Sequence, residues 1–397
     1  MSIGTAFHPR TAPLNRKMQW REWAGYFAAS AYADSHDIEY NAIREAAALI
    51  DVTPFYKYLV SGPDAMTLID RVIVRDATKL AVGQVYYTCW CDEEGKVVDD
   101  GTLTRLDETT YRWTAADPQL RWFRMNATGL DVSVEEVTES TAALALQGPL
   151  SRDVLEATIG ESFADVRYFR GRPARLGKLD LYVTRTGYTG DLGYELWVDA
   201  ENAVSLWDAL MGVGRDFGVR PAGMLALDVV RLEAGLILLE VDYTSSRHAL
   251  IPDQSYSPYE IGLGRLVKLD KPGPFVGKGA LRREQAAGGP PRRLVGLEVD
   301  WTGVEAMHAA QGLAPVVPAA AWRTPIPVYS PVRQVGRATS GTWSPILKRT
   351  IALASVDAAI ATPGTRLEME WTVEARRGRV AATVTELPFL DLPRKRE

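Results

Sequence analysis

Arg185-Thr186-Gly187-Tyr188-Thr189-Gly190-Asp191-Leu192-Gly193-Tyr194-Glu195 places three glycines between two alternating runs, Leu181 to Thr184 before it and Tyr194 to Val198 after it. Period-2 alternation on both sides of a glycine-punctuated break predicts two strands joined by a tight turn. Glu195 then stands at the start of the outgoing strand. Its two oxygens can accept a pair of neighbouring N–H donors from one planar ligand edge.

Upstream of this hairpin, Glu39 to Asp51 spaces Ile43, Ala47 and Ile50 as one helical face and predicts a helix. Phe55 to Val60 reads as a strand, and Gly62-Pro63-Asp64 breaks it before a helix carrying Ala65, Leu68, Ile69 and Val72. The same layout recurs where Ala145-Leu146 runs into Gln147-Gly148-Pro149 and a further helix, which predicts two related α+β halves. Tyr86 to Trp90, Leu103 to Leu106 and Tyr111 to Thr114 read as an antiparallel meander. Downstream, helices are expected from Ala203 to Val213 and from Leu225 to Gly235. Gly288-Gly289-Pro290-Pro291 marks a boundary, and short β-like runs follow it. The fold class is therefore α+β, with residues 1–290 forming a two-lobed body and residues 291–397 a small β-barrel domain.

Bulk properties narrow the function classes. A formal net charge of -5 over 397 residues argues against a general nucleic-acid binder. No apolar run approaches the ~20 residues of a membrane span, and Met1 to Arg16 lacks the apolar core of a secretory signal, so a cytoplasmic location is expected. Cys89 and Cys91 fall on one face of their strand, and His36, His248 and His308 form no ligand pattern with them. No metal is expected. Arg394-Lys395-Arg396 reads as a solvated tail.

Six segments stand in a telling order: Gly95-Lys96-Val97-Val98-Asp99-Asp100, Ala145 to Pro149, Arg185 to Glu195, Ala226-Leu227-Asp228 with Arg231 to Gly235, Phe275 to Lys278, and Thr339-Ser340-Gly341-Thr342-Trp343-Ser344-Pro345. Together they resemble the aminomethyltransferase (glycine-cleavage T-protein) family of folate-dependent enzymes. The resemblance covers nearly the whole chain. It implies a body of two intertwined lobes and a C-terminal barrel around a central channel for tetrahydrofolate.

By the same resemblance, Gly95 to Asp100 matches the family's Gly-Gly-x-x-Asp-Asp segment, with Asp99 the preferred catalytic carboxylate and Asp100 its neighbour. Adjacent strand residues face opposite ways, so one of the two points at a ligand. Glu195 matches the family's pterin-binding glutamate, with Tyr188 and Tyr194 offering flat surfaces beside it. Arg337, Arg376 and Arg377 in the barrel are candidates for the glutamate tail of folate or a substrate carboxylate. Tyr26, Trp90 and Trp113 are looser candidates for aromatic contact.

Departures from the family point to a different donor. Leu227 stands where glycine-cleavage enzymes carry a folate-site arginine, and Ala115-Ala116 and Thr53-Pro54 replace a typical asparagine and histidine. Asp242-Tyr243-Thr244-Ser245 resembles the tetrahydrofolate-dependent O-demethylase branch. That branch moves a methyl group from methoxylated aromatic acids to N5 of tetrahydrofolate. The expected partner is thus a small-molecule methyl donor, with Tyr243 protonating the departing oxygen, because a phenol of pKa near ~10 holds its proton at neutral pH. Aminomethyl transfer, sulfonium demethylation and folate binding without turnover are the alternatives. The oligomeric state is not legible from the sequence.

Overall fold

The computed structural model describes all 397 residues. Two large sheets, a two-stranded N-terminal hairpin and a barrel organise them. The first-lobe sheet has five antiparallel strands, in spatial order Val85–Cys91, Val97–Arg105, Thr110–Ala115, Tyr56–Ser61 and Ser133–Glu136. The second-lobe sheet has six, in order Gly171–Leu176, Leu179–Thr184, Gly193–Asp199, Thr141–Gln147, Ala48–Asp51 and the short Arg220–Pro221. The lobes are intertwined because Ala48–Asp51 joins the second sheet before the chain builds the first. The chain returns to the second sheet only at Thr141. Residues 292–385 close a six-stranded barrel, a form that leaves no free sheet edge.

Each sheet buries an outer face under helices. Leu49, Leu144, Leu146, Leu181, Val183, Tyr194 and Leu196 pack beneath the helices Ser151–Ile159 and Ala203–Gly214. Tyr58, Trp90, Leu103, Tyr111 and Trp113 do the same in the first lobe, against helices Ala65–Val72 and Leu120–Asn126. Trp90 and Trp113 meet edge to face at 5.2 Å, an arrangement the ring quadrupoles favour. With both indoles fully buried in this outer core, neither reaches a ligand. The inner faces of the two sheets turn toward each other.

Two expectations are corrected. The helix over Glu39 to Asp51 ends at Glu45, and Ala48-Leu49-Ile50-Asp51 is a strand. Apolar runs this short fit either period, and pairing on both sides decides: Leu49 sits opposite Leu146 on one side and Pro221 on the other. The basic tail is docked rather than solvated. Arg394 makes a two-pronged contact to Asp191 at 2.7 and 2.8 Å, while Arg185 donates to the carbonyl of Glu397 at 3.2 Å.

Buried carboxylates join the motifs that lie far apart in sequence. Asp242 accepts from Arg231 at 2.6 Å, from the Leu238 amide at 2.9 Å, and from Thr339 and Ser340 of the barrel at 2.6 and 2.5 Å. Glu233 accepts from Arg44 at 2.6 Å, Tyr40 at 2.8 Å and Ser344 at 2.6 Å. Each is fully hydrogen-bonded, so helix His36–Glu45, helix Met224–Glu233 and the barrel strand Arg333–Ser344 lock in one relative position.

Candidate active site between the lobes

The turn that opened the sequence reading is built around Gln147. Its side-chain nitrogen donates to the Thr186 carbonyl at 3.1 Å, and its oxygen accepts from Thr189 at 2.8 Å. A Cβ on Gly187 or Gly193 would fall 2.0 to 2.3 Å from the Gln147 side chain, which is why both positions are glycine. This packing lets strand Gly193–Asp199 start with Glu195 and Trp197 on the inner face, across from Ala145 and Ala143. Tyr194 points the opposite way into the outer core and accepts from Arg152 at 3.2 Å, so it offers no ligand surface. Tyr188 is half-buried and donates to the Ile237 carbonyl.

The adjacent carboxylates part company at a β-bulge. Val98 is the extra residue: Trp90 sits opposite Asp99, Cys89 opposite Asp100, and Cys91 opposite Val97. Asp99 thereby turns to the tryptophan side and is fully buried. It accepts from the amides of Ala116 at 3.1 Å, Asp117 at 3.0 Å and Asp100 at 2.7 Å, and from the Gln119 side chain at 3.3 Å. No face of it is open to a ligand. Asp100 turns to the inner face, is half-buried and accepts the hydroxyl proton of Tyr243. Strand register thus seats Asp99, the carboxylate preferred from the sequence, on backbone amides of the first lobe, and places Asp100 beside Tyr243.

Burial sets the protonation of this cluster. It raises the Asp100 carboxyl above its ordinary value, against the opposing pull of hydrogen bonds from Tyr243 and Tyr87. Burial and the Asp100 charge hold the Tyr243 and Tyr87 phenols well above the ordinary phenol range. Glu195 is also raised by burial, while Thr186 at 2.6 Å and the Arg112 charge pull it down. Solvent still reaches inside, since Tyr87, Asp100, Tyr182, Tyr188 and Glu195 are half-buried although they stand on the inner faces.

The barrel arginines divide. Arg337 donates to the Tyr256 hydroxyl beside the Tyr243 cluster. Arg376 and Arg377 stay exposed at the tip of the hairpin Arg366–Val373 and Arg376–Thr385, with Arg376 opposite Val373, so the structure does not bring them to the inner faces. Tyr26 lies on the N-terminal hairpin opposite Trp23, beside Tyr56 and Glu139 rather than Tyr243. On the surface, His248 bridges Glu240 at 3.0 Å and Asp117 at 3.5 Å, a contact among residues far apart in sequence.

Tyr87 and Arg112 are functional candidates that sequence reading missed. Tyr87 is two residues before Cys89 and shares its face, so period-2 alternation carried that signal. Arg112 interrupts the aromatic run Tyr111-Arg112-Trp113, and a lone charge in a central strand is itself a flag. It crosses the gap to stack on Trp197 at 4.0 Å and Tyr182 at 5.1 Å. Leu227 is buried in the same cluster as Trp197 and Tyr188 and supplies no charge there.

Comparison with known proteins matches this architecture. Residues 7–271 fit the GCVT N-terminal domain, and residues 292–391 the glycine cleavage T-protein C-terminal barrel domain. A trimethylamine-oxide aldolase from Ruegeria pomeroyi is 35% identical over 404 residues, covering 98% of this chain and 47% of that protein, so the chain spans about half its length. An aminomethyltransferase from Geobacillus thermodenitrificans is 35% identical over 356 residues, covering 88% of this chain and 89% of that one. The solved structure of the glycine cleavage system aminomethyltransferase T from Bartonella henselae superposes with a TM-score of 0.83 at 24% identity, over 98% of this chain and 99% of that one. That likeness confirms the fold. No helix is long and apolar enough to cross a membrane.

Proposed function

We propose, since the chain belongs to the aminomethyltransferase (glycine-cleavage T-protein) family and is a folate-dependent one-carbon-transferring enzyme, that it demethylates a small methoxylated, aromatic acid. Tetrahydrofolate is the family's cosubstrate, and when bound it supplies N5 as the nucleophile that takes the carbon. The residues fit such a group: a half-buried carboxylate, Glu195, and a guanidinium with unpartnered Nε and Nη2, Arg112, stand on the inner faces of the two sheets, close enough for the Arg112 charge to act on Glu195.

The observation that carries the reading is the hydrogen bond from Tyr243 to Asp100 on the inner face. An aryloxide leaves poorly unless it is protonated or hydrogen-bonded as the bond to carbon breaks. Tyr243 holds its proton at neutral pH because burial and Asp100 raise its pKa, and once Asp100 takes up a proton the Tyr243 hydroxyl is free to turn from Asp100 and donate to that oxygen. Asp100 accepts the proton shed by the methylated nitrogen, and the bond between them returns a proton to Tyr243. Donor methyl ether and tetrahydrofolate thus become free phenol and methyl-tetrahydrofolate with no proton gained or lost. Glu195 and the gap walls contribute by holding the reacting atoms in line.

A methylated amine is the second donor class, favoured by similarity to the trimethylamine-oxide aldolase. Tyr87 and Tyr188 are half-buried aromatic side chains, the residue type that receives methylated cations. Incubation with tetrahydrofolate and parallel panels of methoxybenzoates and methylated amines, read by mass spectrometry, distinguishes them. Methyl-tetrahydrofolate from the first panel supports O-demethylation. Transfer from amines alone supports the second reading, and transfer from neither removes both.

A further inference from the structure

Arg112 is a buried charge without a partner. It is 6% exposed at the centre of strand Thr110–Ala115, and its Nε and Nη2 make no hydrogen bond. Arg44, equally buried, is treated otherwise: it reaches Glu233, Asp191 and the carbonyls of Thr189 and Val230. Unmet donors in the interior are costly, and they persist where a ligand meets them.

Position says which ligand. Arg112 lies on the inner face of the first sheet, opposite Leu59 and Thr104, with its guanidinium over the neighbouring Trp197 and Tyr182 rings of the second. Trp197 is two residues beyond Glu195 on the same strand and face. Arg112 is the cation that acts on Glu195, yet its Nε and Nη2 make no hydrogen bond to it. Glu195 accepts from Thr186 at 2.6 Å and is half-buried.

The pyrimidinone edge of a pterin presents three groups in a row: the carbonyl oxygen on C4, the N–H at position 3 and the amino group on C2. That is acceptor, donor, donor. A carboxylate answers the two donors and leaves the carbonyl unread. We propose that Arg112 is the residue that reads it, donating to the C4 carbonyl while Glu195 accepts from N3–H and the 2-amino group. The two lobes then close on the pterin from opposite sides, with Arg112 from one and Glu195 from the other. This rests on Glu195 being the pterin carboxylate. It adds a second determinant on a different sheet, and it makes the protein selective for 4-oxo over 4-amino pteridines, because a 4-amino group would turn its own donors toward the guanidinium.

Binding without turnover tests this. Isothermal titration of wild type with 5-formyltetrahydrofolate, a 4-oxo compound, and with a 4-amino-4-deoxy folate should show clear preference for the first. Arg112→Met should weaken the 4-oxo compound by about 10- to 100-fold and barely change the 4-amino one, narrowing the preference to the part that Glu195 enforces, because a 4-amino pteridine also lacks the N3–H. The same variant should melt at the same or a higher temperature, because it removes an unsatisfied buried charge. Arg112→Lys should recover part of the affinity. Unchanged 4-oxo binding, or equal loss of both compounds, overturns the proposal. A lowered melting temperature with intact selectivity makes Arg112 structural and also overturns it. A raised KM for the methyl donor with folate binding intact would move Arg112 to the donor instead. Glu195→Ala is the separate control: if it binds 5-formyltetrahydrofolate as well as wild type, the pterin-carboxylate reading fails, whatever Arg112 does.

Discussion

Where the helices meet the barrel, every buried acid is matched, whereas between the two sheets the charges stand partly unmet. Asp242 has four donors within 2.9 Å, and Glu233 has Arg44, Tyr40 and Ser344. Between the sheets, Asp100 leans on tyrosine hydroxyls, Glu195 on a threonine hydroxyl, and Arg112 has no partner at Nε or Nη2. Interior charge that is saturated holds elements together, while interior charge left open holds something that arrives from outside. The contrast even divides neighbours, since Asp99 belongs to the first kind and Asp100 to the second.

The contrast breaks most sharply at Tyr243. Tyr243→Phe keeps the ring in its cluster and removes the proton, so turnover of an aryl methyl ether should fall about 10²- to 10⁴-fold with folate binding unchanged. A sulfonium donor, whose leaving thioether is neutral, should lose little. Asp100→Asn should lose comparable activity while melting no lower than wild type. The sign follows from burial: the native Asp100 carboxyl keeps its proton to higher pH than the unfolded chain does, so its charge works against folding as pH rises. A large fall in melting temperature for Asp100→Asn would place Asp100 in the scaffold instead.

On the saturated side, Asp242→Ala leaves buried Arg231 with only the longer 3.5 Å contact to Asp228 and strips a partner from Thr339 and Ser340. The expected loss is about 3–5 kcal/mol, read as a lower urea midpoint. Asp99→Asn should cost less, about 1–3 kcal/mol, because an amide group meets amide donors where a carboxylate oxygen met them. Its activity loss should track the displacement of the Ala116 to Gln119 segment and be partly recovered at low temperature. If Asp99→Asn abolishes turnover without loss of stability, the division between the two aspartates is wrong.

Much of this was legible from the chain, and the rest for a physical reason was not. Strands on either side of the Gly187 to Gly193 turn follow from alternation, and the barrel from its short runs after Pro291. Asp99 and Asp100 could not be separated, because a bulge at Val98 depends on the partner strand and leaves no periodic mark. Arg394 read as a tail because its partner, Asp191, is 203 residues away. Arg112 was flagged only by being a lone charge in a central strand, and the contact it lacks, which makes it a candidate, leaves no further mark in the sequence.

Lys57 offers the gentlest test, because its charge is intermediate between the two kinds. It lies on the inner face opposite Thr114 and donates to the carbonyls of Thr53 and Phe55 at 2.5 and 2.8 Å, but no carboxylate pairs with it directly. Burial lowers its pKa to about 7, with the Arg112 charge adding to the effect and Asp51 opposing it. The native protein therefore binds fewer protons at this site than the unfolded chain between about pH 7 and the ordinary lysine value near ~10.4. Stability should rise with pH through that window, by at most about 1.4 kcal/mol per unit, and should be insensitive to this group below it. In Lys57→Met the contribution disappears, so the difference in melting temperature between mutant and wild type should shrink from pH 6.5 to pH 9. A constant difference across that range would mean that the two carbonyls suffice to keep Lys57 charged, and would move it to the saturated side of the comparison.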